Sequence, residues 1–201
     1  MPNSDDEDFA GLIQTGGPGH RRHANYFSTS DDRSDGELEV VLVLGGSLEQ
    51  DGRGFYHSPK PRGKGEDPPD CEALSSDDEP IGFEVTELVE EASLKADHRG
   101  EPHLSPPCST SALIDRIQGR IDKKDKPSEV KGGPYKQYVL VIHSDEPRVL
   151  DHELAKHLRA HTFGPTRLID RVFFLMSYNG WKRRCPYIEL TLRSRELVEG
   201  L

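Results

Sequence analysis

The stretch that most limits how this chain can fold is EDPPDCEALSSDDEPIGFEVTEL, residues 66–88. Its centre, SSDDEP at 75–80, consists of residues that favour turns, several by hydrogen-bonding their own backbone. On either side lie segments suited to strands. The first opens at Pro68-Pro69-Asp70 and continues through Cys71, Glu72, Ala73 and Leu74; the second covers 81–88. Side chains alternate along a strand, so Ile81, Phe83 and Val85 share one face and Gly82, Glu84 and Thr86 the other. Folding the pair about Asp77-Asp78 sets the start of the first strand against the later part of the second. Asp70 and Glu84 then converge on one face while the apolar set enters a core.

Two carboxylates at short range repel each other unless a proton or a cation lies between them. A hard divalent cation such as Mg²⁺ suits an all-oxygen site and keeps waters able to attack a phosphodiester. The competing reading has Asp70 ending a polyproline turn and Glu84 solvated on its strand.

PPD, thirteen intervening residues and a Glu inside the apolar segment GFEVTEL resemble the signature of the PD-(D/E)xK nuclease superfamily. There Pro-Asp opens one strand and Glu-x-Lys lies in the next. Asp70 matches the Asp of the motif and Glu84 its Glu; Thr86 stands where the family has Lys. The resemblance runs over roughly residues 37–143. It implies an α/β, restriction-endonuclease-like mixed sheet flanked by helices, and Mg²⁺-dependent hydrolysis of phosphodiester bonds in DNA. The metal would be held by Asp70, Glu84 and the backbone carbonyl of Val85. In the family the Lys helps position or activate the attacking water, and some members supply a basic group from a neighbouring helix. That implies Lys123 or Lys124 as the stand-in here, with Gln118 and Arg120 as weaker candidates and Thr86 bonding a water. Lysines at a helix end are also stabilised by the macrodipole without any functional role.

The rest of the chain is read from pattern. With 201 residues there is room for one domain plus tails, and 33% apolar against 31% charged residues leaves part of the chain outside a core. Residues 1–35 (SDDED, TGGPG, STSDDRSD) lack apolar periodicity and read as a disordered acidic tail, in which His20 and His23 are solvated; residues 36–201 form the domain. A net charge of −10 argues against a broadly basic nucleic-acid binder, although 123–136 and 182–184 are locally basic. Cys71, Cys108 and Cys185 show neither zinc spacing nor an even disulfide set. With no signal-like or membrane-length apolar run, a soluble cytoplasmic protein is expected.

ELEVVLVL at 37–44 suits a strand or a buried helix; the resemblance favours a helix, capped by Asp35, with Glu37 or Glu39 as a further acidic group. Residues 45–65 are broken by Gly and Pro and read as loop with one short strand near Phe55-Tyr56-His57, whose rings either join the core or stack on a base. The GKG at 63–65 lacks the spacing of a phosphate loop. Residues 89–107 read as an exposed connection. A helix over 112–124 follows a Ser109-Thr110-Ser111 cap, burying Leu113, Ile114, Ile117 and Ile121. QYVLVIH at 137–143 reads as a strand buried on both faces, followed by a helix at 150–161 and strands at 170–178 and 187–192. Such alternation implies a mixed sheet.

His143, His152, His157 and His161 invite a metal reading, but no HExxH glutamate lies between the last two. Trp181-Lys182-Arg183-Arg184, on a loop, suits either a nucleic-acid backbone with a stacked base or a packing Trp with snorkelling neighbours. The rival to a nuclease is a catalytically silent module of the same fold that binds nucleic acid or protein; Thr86, the acidity and the tail suit it. A third possibility, an interaction protein of another α/β type, would set Asp70 and Glu84 apart.

Overall fold

The computed structural model describes residues 33–63, 65–88, 109–144, 152–179 and 183–194. Their elements in order are α1 (Arg33–Gln50), β1 (Tyr56–Pro61), β2 (Cys71–Ser75), β3 (Pro80–Glu87), α2 (Thr110–Lys124), β4 (Gln137–Ser144), α3 (His152–Ala160), β5 (Thr162–Phe163), β6 (Arg171–Met176) and β7 (Tyr187–Leu192). The strands form one mixed sheet in the order β1-β2-β3-β4-β6-β7-β5. β2 runs antiparallel to both β1 and β3, β4 and β6 run parallel to β3, β7 runs antiparallel to β6, and β5 runs parallel to β7. This is the mixed α/β fold that the alternation of patterns implies.

Two cores lie on opposite faces of the sheet, and residue parity assigns them. Ile81, Phe83 and Val85 of β3, Val139 and Val141 of β4, and Phe173 and Leu175 of β6 pack under α1 through Val40, Val41, Leu44 and Leu48. The intervening residues Tyr138, Leu140, Ile142, Val172 and Phe174 pack under α2, through Leu113, Ile117 and Ile121, and under Leu158 of α3. β4 and β6 are therefore covered on both sides, which is why they carry almost unbroken apolar runs.

The hairpin takes the register its pattern asks for, with Cys71 opposite Phe83, Glu72 opposite Gly82 and Ala73 opposite Ile81. Ser75 organises the turn: its hydroxyl accepts from the backbone N–H of Asp77 at 3.2 Å and of Glu79 at 3.1 Å. Asp78 adopts φ 58°, a left-handed conformation that Asp tolerates better than most residues.

Several expectations need correction. α1 begins at Arg33, inside the stretch assigned to the tail, so Asp35 lies in its first turn. It also runs through Gly45-Gly46 to Gln50, where a loop is expected. The reason is packing: a Cβ on Gly45 would lie 3.1 Å from the Tyr56 hydroxyl, which donates to the Val41 carbonyl at 2.5 Å. The glycine lets β1 approach the helix rather than ending it. Tyr56 and Phe55 belong to this core, with Phe55 stacked against Phe83 and Phe173, so neither is a free base-stacking ring. The short strand β5 has too few residues to leave a pattern. The expected tail over 1–32 and the connection over 89–107 lie outside the described residues.

Candidate functional site

Asp70 immediately precedes β2, whose Cys71 lies opposite Phe83, and its charge acts on Glu84, the residue next to Phe83. Asp70 is held there from both ends. Its backbone N–H donates to the Phe83 carbonyl at 2.9 Å, and its Oδ2 accepts from the Val85 N–H at 2.7 Å. The N–H and carbonyl of one strand residue point to the same side, so the Val85 carbonyl lies on the β2 side of β3, as its N–H does. Both carboxylates are buried, Asp70 5% and Glu84 4% exposed.

α2 supplies the counter-charge. Ser109 caps it by accepting from the Ala112 N–H, and its buried stripe faces the sheet, which carries the C-terminal Lys124 over β3. The Lys124 ammonium donates to Glu84 Oε1, while the Tyr138 hydroxyl from β4 donates to Glu84 Oε2 at 3.1 Å. The next residue, Asp125, fixes that end of the helix. Its carboxylate accepts from the N–H groups of Arg167, Leu168 and Ile169 at 2.6, 2.7 and 3.1 Å.

Burial pushes the Glu84 carboxyl above its usual range, and the charge of Asp70 adds to that push; the bonds from Lys124 and Tyr138 act the other way. The Cys71 thiol is pushed up to about 12 by burial, then by the charges of Asp70, Glu37 and Glu84. The α1 residue Glu37 thus lies within electrostatic reach of Cys71, which packs in the core on the α1 face. Beside it, Arg62 donates to Glu72 Oε1 at 2.5 Å and also bonds the Tyr135 hydroxyl, which donates to the same Glu72 oxygen at 2.6 Å. The Tyr135 bond and then the Arg62 charge hold Glu72 below the usual carboxylate range.

Of the residues singled out from sequence, Asp70, Glu84, Val85 and Lys124 come together. Lys123 does not. It is exposed on α2, and neighbouring helical positions project about 100° apart, so only one of the two lysines faces Glu84. Thr86 shares the Glu84 face and is half-buried. Gln118 is used structurally, accepting from the Gly164 N–H at 3.0 Å and donating to Asp122. Trp181 and Lys182 lie outside the described residues. Arg183 is exposed, whereas the Arg184 guanidinium is engaged by Asp51, just past α1, and docks the loop there. His161 packs its ring edge-on against Phe163 at 4.5 Å, and no group of three His, Cys, Asp or Glu side chains able to hold a metal forms among the described residues.

Sequence reading misses Tyr138. The only signal was a hydroxyl in an otherwise apolar strand, since a buried Tyr hydroxyl needs a partner. Which partner depends on the parallel pairing of Gly82 with Tyr138.

The donor chemistry fits Mg²⁺ in kind: two buried carboxylates offer hard oxygen ligands. Two carboxylates are few, which suits an ion that keeps several waters better than one caged by protein. The chain matches no protein-family model, and no curated protein or solved structure is detectably similar to it. Among the described residues no helix is long and apolar enough to cross a membrane.

Proposed function

We propose that the chain is a metal-dependent hydrolase of DNA phosphodiester bonds of the PD-(D/E)xK, restriction-endonuclease-like type. One observation carries the reading: Lys124, from the helix packed over the sheet, sits on Glu84 at the corner where Glu84 faces Asp70. The resemblance lacks its Lys at position 86, and this is an amine arriving at the motif Glu by another route. The opening helix, and the Asp and Glu on adjoining segments of the hairpin, support the same reading.

Asp70 and Glu84 would hold Mg²⁺ with the Val85 carbonyl. When bound, Mg²⁺ lowers the pKa of a water and offsets charge on the phosphate. Lys124 orients the attacking water and balances the negative charge that two buried carboxylates bring to the phosphate. Thr86 offers a hydroxyl to the same water from the adjoining position on that face. Asp70 Oδ2 accepts from the Val85 N–H, which fixes the carboxylate at the corner.

A specific observation favours the silent-module reading as runner-up. Both Glu84 oxygens already have donors, Lys124 and Tyr138, as in a closed structural ion pair. Plasmid cleavage with Mg²⁺ or Mn²⁺ separates the two. We expect the wild type to cut and Asp70→Ala and Glu84→Ala to lose the activity; no cutting by any of the three, or equal cutting by all, ends the hydrolase reading.

A further inference from the structure

Backbone parity along β7 leaves part of the sheet edge open. The Met176 N–H donates to the Pro186 carbonyl at 2.9 Å, which makes that opposed pair a hydrogen-bonded one. Such pairs alternate in an antiparallel ladder. Ile188 and Leu190 therefore turn their N–H and carbonyl groups to Phe174 and Val172 of β6, while Tyr187, Glu189 and Thr191 turn theirs to the other side. β5 takes up that side only from Thr191 onward. Thr162 pairs with Thr191 and Phe163 with Leu192, and the Arg193 N–H donates to the Phe163 carbonyl at 2.7 Å. Nothing among the described residues bonds the outward N–H and carbonyl groups of Tyr187 and Glu189. In place of a strand there is a cavity of about 480 Å³, bounded by residues 187–191, Arg53 and Arg159.

Arginines set the charge at this edge. Glu189 accepts from Arg171 Nε at 2.8 Å on Oε1 and from Arg53 on Oε2, so one carboxylate meets two cations. Asp51 is matched by Arg184. Arg159, exposed at the end of α3, has no acidic partner among the described residues. The edge thus carries an excess of positive charge on a chain whose net charge is −10. We propose that the β7 edge at 187–190 is a docking site for an extended acidic peptide of another protein. The peptide adds a strand beside β7 by pairing with Tyr187 and Glu189, and places carboxylates by Arg53 and Arg159. The open backbone names the class of partner: an extended chain supplies N–H and carbonyl groups at strand spacing, which a nucleic-acid backbone does not. The arginines name its sign. A second copy of this acidic chain is disfavoured by self-repulsion. Two residues, each with one donor and one acceptor, make a short edge, so the complex is weak and loosens with salt. The surface does not depend on the hydrolase reading.

The test uses the full chain and a fluorescent peptide of alternating Val and Asp, about ten residues long. Binding is followed by anisotropy and amide hydrogen exchange by NMR. In the free chain the Tyr187 and Glu189 amides should exchange fast while those of Ile188 and Leu190 are protected; the peptide should slow the first two. Methylating the backbone nitrogens of the peptide should abolish binding. Arg159→Glu should weaken it about tenfold, because like charges then meet, and Arg159→Lys should keep most of it. Absence of binding overturns the proposal, as does equal binding by the methylated peptide or by one alternating Val and Lys. Two further results overturn it by naming another occupant. One is a DNA oligonucleotide that protects the same amides at lower concentration than the peptide. The other is a concentration-dependent dimer in sedimentation velocity with both amides already protected, since a second copy then holds the edge.

Discussion

Glu84 carries opposing demands, and its ionisation can be turned into a measurement. Because its carboxyl is raised in the fold by burial and then by Asp70, the folded protein holds that proton to higher pH than the unfolded chain. Its contribution to stability is therefore greatest below the unfolded value near 4.5 and is lost as pH rises through the folded one. Glu84→Gln removes this loss. We expect the metal-free variant to melt above wild type at pH 8. The gap should narrow as the pH approaches 4.5; a variant that melts lower at pH 8 would show that the bonds to Lys124 and Tyr138 outweigh the burial cost. The two lysines at the end of α2 give a second contrast. Lys124→Ala should lower plasmid cleavage by about 100-fold or more, whereas Lys123→Ala, on the exposed side, should leave it within about twofold.

At the scale of elements, the hairpin brings the two acids and α2 brings the Lys124 ammonium, so the proposed site depends on how firmly α2 is seated. Asp125 is the anchor, because one carboxylate satisfies three consecutive N–H groups of the 167–169 loop. Asp125→Ala leaves those donors without their acceptor and should cost about 2–3 kcal/mol by urea unfolding. It should also reduce cleavage by loosening the Lys124 contact. A cost below about 0.5 kcal/mol, the usual range for a surface change, would mean that the loop is held by other means. α1 shows the same principle in reverse. Its glycines look like breakers, yet Gly45 is needed for the approach of Tyr56, and the helix is secured by the stripe Val40, Val41, Leu44 and Leu48.

For the whole molecule, ligand binding and acid response give the broadest checks. If Asp70 and Glu84 hold Mg²⁺, saturating metal stabilises the fold by mass action, about 2.7 kcal/mol at one hundred times Kd. The melting temperature of the wild type should rise with Mg²⁺, and that of Asp70→Ala should not. On the acid side His143 contributes, its imidazole pushed down to about 4 by burial. Its folded value lies below the unfolded 6.5, so its contribution is complete above 6.5 and is lost as pH falls toward 4. Stability should decline over that window, and His143→Gln should flatten the decline.

Much of this was written in local pattern. The alternation over 81–85, the turn at 75–80 and the partner strand decide which face Asp70 and Glu84 occupy, because side-chain direction in a hairpin follows from a period of two and the turn between its strands. The bond from the Val85 N–H to Asp70 spans only 15 positions. The apolar stripe of α2 was equally legible, since helical spacing is a local property. Which amine meets Glu84 and which hydroxyl shares it were not: Lys124 lies 40 positions away and Tyr138 lies 54 away. Those contacts arise only when β4 pairs in parallel with β3 and α2 settles across them. Register between distant strands and the seat of a helix are set by the packing of the whole core, which no single segment encodes.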